Sequence, residues 1–316
     1  MSRRPSSHDP ALSNKHSRPR TRDRGPAERA EDGSHTGIRA RQFIITVEVV
    51  PPAGPSVGPL LAALESLAPL PIDGFRVATN PVARPRMSAL ATCALVHQRT
   101  HRPAILHCTT RDHNRLSLQG LLWGARALGI ETVLVATGDL IGLEDQARTT
   151  YVGDLDVFSL VSMAREAGLA VGVVFDPRPE IKELAPEARR LEMKVEAGAQ
   201  FAVTQPVFDE VSAKILAEAV ADAGIPVILG ILPLRGARHA EFLHRRVAGI
   251  TVPEQVRERM KRASNPVSEG IEGAREMLAV ACSLFAGACL MPPFGHYEVL
   301  FDLLAPKPPL NRIRLQ

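Results

Sequence analysis

The sequence predicts a single α/β domain closed into a (βα)8 barrel. Three observations predict it. Eight short, β-branched apolar runs punctuate the chain after residue 42. Longer Ala/Leu/Arg-rich segments with helical spacing separate them. The polar residues that interrupt the runs fall mainly toward their C-terminal ends, which in such a barrel open onto one rim.

The first run, FIITVEVVP (43–51), is broken only by Glu48, and VGPLLAALESLAPL follows it with leucines at helical intervals. A carboxylate in a buried strand costs several kcal/mol unless it is paired, protonated or used, so Glu48 marks a candidate site. GFRVATN (74–80) is the second run and ends in Thr79 and Asn80, with MSALATCALVHQRT after it. PAILHCTT (103–110) carries His107 and precedes LSLQGLLWGARALG. ETVLVATGD (131–139) ends in Thr137, Gly138 and Asp139, and VFSLVSMAREAG follows. AVGVVFDP (170–177) ends at Asp176, and MKVEAGA reads as a helix stopping at Gly198 before the sixth run, FAVTQPVF (201–208), with Thr204 and Gln205. PVILGILP (226–233) and GACLMPPF (287–294) complete the eight. Continuous rather than alternating hydrophobicity suits parallel strands covered on both faces. An open doubly wound sheet is the alternative, but no G-x-G-x-x-G follows any strand.

Charge is unevenly spread. The chain of 316 residues carries formal net charge +4, yet residues 1–42 alone hold ten Lys and Arg against five Asp and Glu, which leaves the remainder at −1. That basic segment has few large apolar residues and no aromatic for base stacking, so it reads as a disordered tail rather than a nucleic-acid module. Residues 304–316 read as a short C-terminal tail. No apolar h-region and no stretch of about 18 apolar residues occurs, so a cytoplasmic protein without a membrane span is expected. Cys93, Cys108, Cys282 and Cys289 form no C-x-x-C and no Cys/His cluster, and are expected to be buried thiols with no metal bound.

Several stretches carry a resemblance: VEVVPP (47–52), ARPRMS (83–88), LHCTTRDHNRLSLQ (106–119), TGD (137–139), KVEAGAQFAVTQPVFD (194–209) and GILPLRGARHAEFLHRRVAGITVP (230–253). Together they make residues 43–303 resemble the methylenetetrahydrofolate reductases, flavin-dependent barrels that reduce 5,10-methylenetetrahydrofolate to 5-methyltetrahydrofolate. ARPRMS, LHCTTRDHNRLSLQ and PPFGHYE (292–298) are similar to the reductase half of bifunctional homocysteine S-methyltransferase/methylenetetrahydrofolate reductase proteins.

The resemblance implies a role for each matching residue. Glu48 corresponds to the catalytic acid; the bland alternative is a strand-end carboxylate paired to a rim arginine. Asp139, Gln205 and His239 fall at folate positions. Thr79, Asn80, His107, Thr137, Gly138, Asp139 and Lys194 fall at positions that hold FAD, with NADH or NADPH as co-substrate. Asp139 could instead cap its loop, and Lys194 could serve only the helix dipole. The resemblance also implies a homo-oligomer. The chain departs from the family at Val174 and Arg178, where a Tyr and a His are frequent, at Met193 in place of an Arg, at His239 in place of a Gln, and at Leu243 where some members carry a Phe against the nicotinamide. The departures at Val174, Arg178 and Met193 permit a flavin-independent folate reductase; a non-reducing tetrahydrofolate-binding or methyl-transfer partner protein is a separate alternative, against which Glu48 speaks, since simple binding needs no buried acid.

Overall fold

Eight parallel strands close on themselves in sequence order, with β8 hydrogen-bonded back to β1. The computed structural model describes residues 43–142, 145–146, 148–176, 184–247 and 249–305. The expected tail at 1–42, most of the one at 304–316, and Arg178 lie outside the described residues. The strands are β1 (Ile44–Val49), β2 (Gly74–Val77), β3 (Ala104–Thr109), β4 (Thr132–Ala136), β5 (Ala170–Phe175), β6 (Phe201–Pro206), β7 (Val227–Ile231) and β8 (Gly287–Leu290). Helices α1 (Gly58–Ser66), α2 (Ala89–Thr100), α3 (Arg115–Ala127), α4 (Val157–Glu166), α5 (Ala185–Glu196) and α6 (Glu210–Ala219) follow the first six strands in turn. Between β7 and β8 the chain makes three, α7 (Ala237–Arg246), α8 (Glu254–Arg262) and α9 (Pro266–Leu284), and α10 (Val299–Leu304) packs on α9.

The starts of these helices are written in their capping residues. Ser88, Asn114, Asp156, Asp209 and Asn265 each accept a hydrogen bond from the backbone N–H three residues on, at 2.7–3.4 Å. Four of them, Ser88, Asn114, Asp156 and Asp209, end connections that leave a strand's C-terminal end and so pin the rim where its loops enter the helices, whereas Asn265 caps α9 after α8.

Alternation along the strands divides the core in two. Val47, Val49, Val77, Leu106, Val133, Val135, Val171 and Val173 are fully buried toward the helices. Leu134, Phe201, Val203, Ile228 and Cys289 fill the barrel interior, with Ile105, Val174 and Met291 against them. Gly172 leaves room for this inner layer, since a Cβ there would lie 2.2 Å from the Phe201 ring. The final run is shorter than the sequence suggests: β8 stops at Leu290, because prolines 292 and 293 cannot donate to a ladder, and residues 293–295 form a 3-10 turn. The cysteines also need one correction. Cys93, Cys108 and Cys289 are buried, but Cys282 sits on the outer side of α9 and is exposed. No helix among the described residues is long and apolar enough to cross a membrane.

Candidate active site

Glu48 is the fifth residue of β1 and faces into the barrel, since its neighbours Val47 and Val49 pack outward against the helices. The residue as a whole is half-buried. Burial raises its pKa above the usual carboxylate range; the Arg76 guanidinium opposes that rise and the Asp139 carboxylate adds to it. A carboxyl so placed keeps its proton to higher pH than a surface glutamate. The rim-arginine alternative is not what is found, because no Lys, Arg or His among the described residues forms a salt bridge with Glu48.

Asp139 lies in the loop after β4, exposed, with one carboxylate oxygen taking the backbone N–H of Val82 at 2.5 Å. Its loop is held from below by Arg111, whose Nη1 donates to the Asp139 carbonyl at 3.0 Å. Arg111 is 2% exposed and forks onto Asp112, Nε to Oδ1 at 2.5 Å and Nη2 to Oδ2 at 2.7 Å. Burial raises the Asp112 carboxyl, but the hydrogen bonds from Arg111 and Asn80 more than offset it and hold it below its ordinary range. Gly138 makes this approach possible. It has φ +93°, and a Cβ there would stand 3.1 Å from the Arg111 side chain.

Asn80 belongs to the same cluster. In a left-handed conformation (φ 42°, ψ 55°), it donates from Nδ2 to Asp112 at 3.0 Å and accepts the Arg86 N–H on Oδ1 at 2.9 Å. Its carbonyl accepts from Arg111 Nη2 at 3.1 Å. The side-chain amide is thus spent on the loops after β2 and β3. The Thr79 hydroxyl likewise donates to the His107 carbonyl, at 2.5 Å. Thr137 is exposed on the rim, and its carbonyl accepts from the Thr110 hydroxyl at 3.4 Å. His107 points inward, with Nε2 buried and without a hydrogen-bond partner among the described residues. Burial, then the nearby Arg76 charge, holds it well below the usual imidazole range, so its ring is neutral.

Lys194 reaches from α5 to the end of β5, where Nζ donates to the Val174 carbonyl at 2.7 Å. It is 7% exposed, and burial together with Arg190 lowers its pKa to about 8. Gln205 is presented by a bulge in β6. A step of three residues from Val203 to Pro206 is matched by a step of two from Ile228 to Gly230 on β7, and the Thr204 hydroxyl replaces the missing ladder partner by accepting the Gly230 N–H at 2.9 Å. Gly230 has no room for a side chain there, since a Cβ would lie 2.6 Å from the Thr204 carbonyl. The Gln205 side-chain amide makes no hydrogen bond to the described residues.

His239, in the first turn of α7, accepts the Arg235 N–H on Nδ1 at 3.3 Å. In the neutral ring the proton is then on Nε2, which makes it a donor. Burial and Arg235 depress its pKa to about 4. Its ring meets Phe294 with centroids 4.9 Å apart at 48°. Phe294 is 74% exposed and has φ 57°, an uncommon conformation for a bulky residue. Leu243, by contrast, is not on the site surface: it is 6% exposed in a small core with Leu234, Ile250, Val252 and Met260.

Three functional candidates were not singled out from sequence. They are Arg76, opposite Glu48 in register on β2; the Arg111–Asp112 fork; and Phe294. A charged residue inside GFRVATN gives the same signal as Glu48 in its own strand, whereas the other two needed the fold.

The barrel thus gathers, at the C-terminal ends of its strands, a carboxyl raised in pKa by burial and several amide, imidazole and carboxylate groups, on the face where sites of this fold lie. The comparisons give the family. The sequence matches the methylenetetrahydrofolate reductase family over residues 34–283, most of the chain, and the protein belongs to that family. Among solved structures, an uncharacterized protein from Clostridium thermocellum that binds two copies of 5-methyl-5,6,7,8-tetrahydrofolic acid is similar at 14% identity. It covers 83% of this chain and 93% of its own, with TM-score 0.61. Tryptophan synthase from M. tuberculosis is similar at 14% identity over 79% of this chain and 82% of its own, with TM-score 0.48.

Proposed function

We propose that the protein reduces 5,10-methylenetetrahydrofolate to 5-methyltetrahydrofolate, with hydride from NADH or NADPH and Glu48 as the general acid. The observation that carries this reading is the inward-facing Glu48, unpaired and raised in pKa by burial within a family of folate reductases. Glu48 gives its proton to nitrogen 10 of the substrate's five-membered ring, and the bond from that nitrogen to the methylene carbon breaks. The methylene is left as an iminium on nitrogen 5. Hydride delivered to that carbon completes the methyl group, so one proton and one hydride balance the reaction. Asp139, Gln205 and His239 would bind the pterin, the amide of Gln205 and Nε2–H of His239 supplying donors and acceptors for its edge. The resemblance of the motifs ARPRMS, LHCTTRDHNRLSLQ and PPFGHYE to the reductase half of the bifunctional proteins supports the same reading.

FAD is the hydride carrier that the family resemblance implies; bound, it would accept hydride from the nicotinamide and pass it on. The residues matched to it fit it poorly. Lys194 is committed to the Val174 carbonyl and Asn80 to Asp112 and Arg86, which leaves His107 and Thr137 as open polar groups. These internal bonds favour a second reading, direct transfer from the nicotinamide to the folate without flavin. The visible absorbance of the purified protein separates the two.

Anaerobic assay with methylenetetrahydrofolate and each nicotinamide tests the reaction itself. Formation of 5-methyltetrahydrofolate is expected, and Glu48→Gln should lower its rate by about 10²–10⁴, the range of general acid–base catalysis. No product with either nicotinamide, with or without added FAD, overturns the proposal.

A further inference from the structure

Arg76 sits in β2 directly across from Glu48 of β1 in the strand register, and both side chains enter the barrel. It is 2% exposed, and neither Nε nor Nη1 has a hydrogen-bond partner among the described residues. A buried guanidinium with unmet donors is costly to hold. Its surroundings must therefore contain a group that can answer it in some state of the protein.

The candidates are few, and each element facing the Glu48–Arg76 pair contributes one. From β3 comes His107, a neutral ring with its own unpartnered Nε2. From β8 comes Cys289, which is hydrogen-bonded with the Arg76 side chain but which burial pushes to about 11 and keeps as a neutral thiol, and after β8 comes Tyr297, a buried phenol raised in the same way. From the loop after β4 comes Asp139, out at the exposed rim and held to the Val82 N–H. None of the first three supplies an anion near neutral pH, and the fourth is engaged elsewhere. Glu48 remains.

We propose that Arg76 is the built-in counter-cation of Glu48, without an anionic partner while the carboxyl holds its proton and bonded to the carboxylate once that proton has left. The inference rests on the reading of Glu48 as the proton donor. Before transfer the pair carries one positive charge, and after transfer it is a neutral ion pair inside a barrel of low dielectric. Attraction between the two therefore favours release of the proton to the substrate. When the product leaves, solvent reprotonates Glu48 and Arg76 returns to waiting. Arg76 is thus a positioning and charge-balancing residue rather than one that touches the folate.

The test is the titration of Glu48 itself in the full-length protein, followed by infrared difference spectroscopy. The carbonyl stretch of the protonated carboxyl is assigned by its loss in Glu48→Gln. In Arg76→Met the midpoint of that band should rise by about 1–3 pH units, the effect of removing an opposite charge at close range. The basic limb of the pH profile for folate reduction should rise with it, and Arg76→Lys should return both toward wild type. Should Arg76→Met fail to fold, as judged by circular dichroism, Arg76→Gln removes the charge and keeps a polar side chain. A folded, uncharged variant whose midpoint does not move overturns the pairing. A midpoint that moves while Glu48→Gln still reduces folate at the wild-type rate leaves the pairing intact and removes Glu48 as the acid.

Discussion

Asp112 has a heavier duty than its position in a motif suggests. It is the only carboxylate among the described residues bonded to the Arg111 side chain, and that guanidinium also secures the carbonyls of Asn80 and Asp139. Asp112→Ala strands a buried charge, so the expected loss is about 3 kcal/mol, the lower end for breaking a buried pair because Asp112 is itself partly exposed. For a domain of this size that corresponds to a fall in Tm of about 6–12 °C. Calorimetry checks it, and a change within 2 °C would show that water replaces the carboxylate at no cost. The sequence showed Arg111 and Asp112 as neighbours but not what they hold, since their partners come from loops about thirty residues away in either direction. Arg76 is a different case. The argument that isolates Glu48, a charge within an apolar strand, applies equally to GFRVATN, and what the sequence lacks is the register that sets the two opposite each other.

Among the elements, the strands and the first five helices were legible because their apolar periodicity is a local signal. The bulge in β6 was not. Thr204 and Gln205 both read as polar rim residues, yet Thr204 is 2% exposed and works within the sheet, while Gln205 is half-buried with its side-chain amide uncommitted among the described residues. The cause is a mismatch of register between two strands, which neither strand displays by itself. Thr204→Val keeps the shape and deletes the acceptor for the Gly230 N–H, which leaves a buried donor unsatisfied at a cost of about 1–3 kcal/mol. A shift in the urea midpoint with unchanged slope would report it. Because the bulge sets the direction of Gln205, the same variant should bind tetrahydrofolate more weakly, and an unchanged midpoint would show that water satisfies Gly230. The end of β8 was misjudged for a related reason: GACLMPPF continues the apolar run, but its prolines turn the chain and present Phe294 beside His239.

For the whole molecule, eight repeats of one unit made closure into a barrel the natural solution, and the rim followed from the direction of the strands. The charge state of the interior did not follow, because it depends on which groups face one another across the barrel, and it governs how stability responds to pH. His107 and His239 have folded pKa values below the unfolded value near 6.5, His239 at about 4. Between those limits the unfolded chain binds protons that the folded chain refuses, so their contribution is complete above pH 6.5 and is lost as the pH falls. Glu48 acts in the opposite sense. Its folded pKa is raised, so the folded state binds the extra proton and gains stability as acidification passes through that pKa toward the unfolded value. Two groups against one give a net decline in the urea midpoint from pH 7 to pH 5. His239→Gln should make the decline shallower by removing one of the two imidazoles. Glu48→Gln should make it steeper by removing the carboxyl that opposes them. Midpoints measured at both pH values in the three proteins decide the matter: parallel declines would mean that neither side chain senses the barrel interior, and a shallower decline in Glu48→Gln would reverse the sign assigned to its burial.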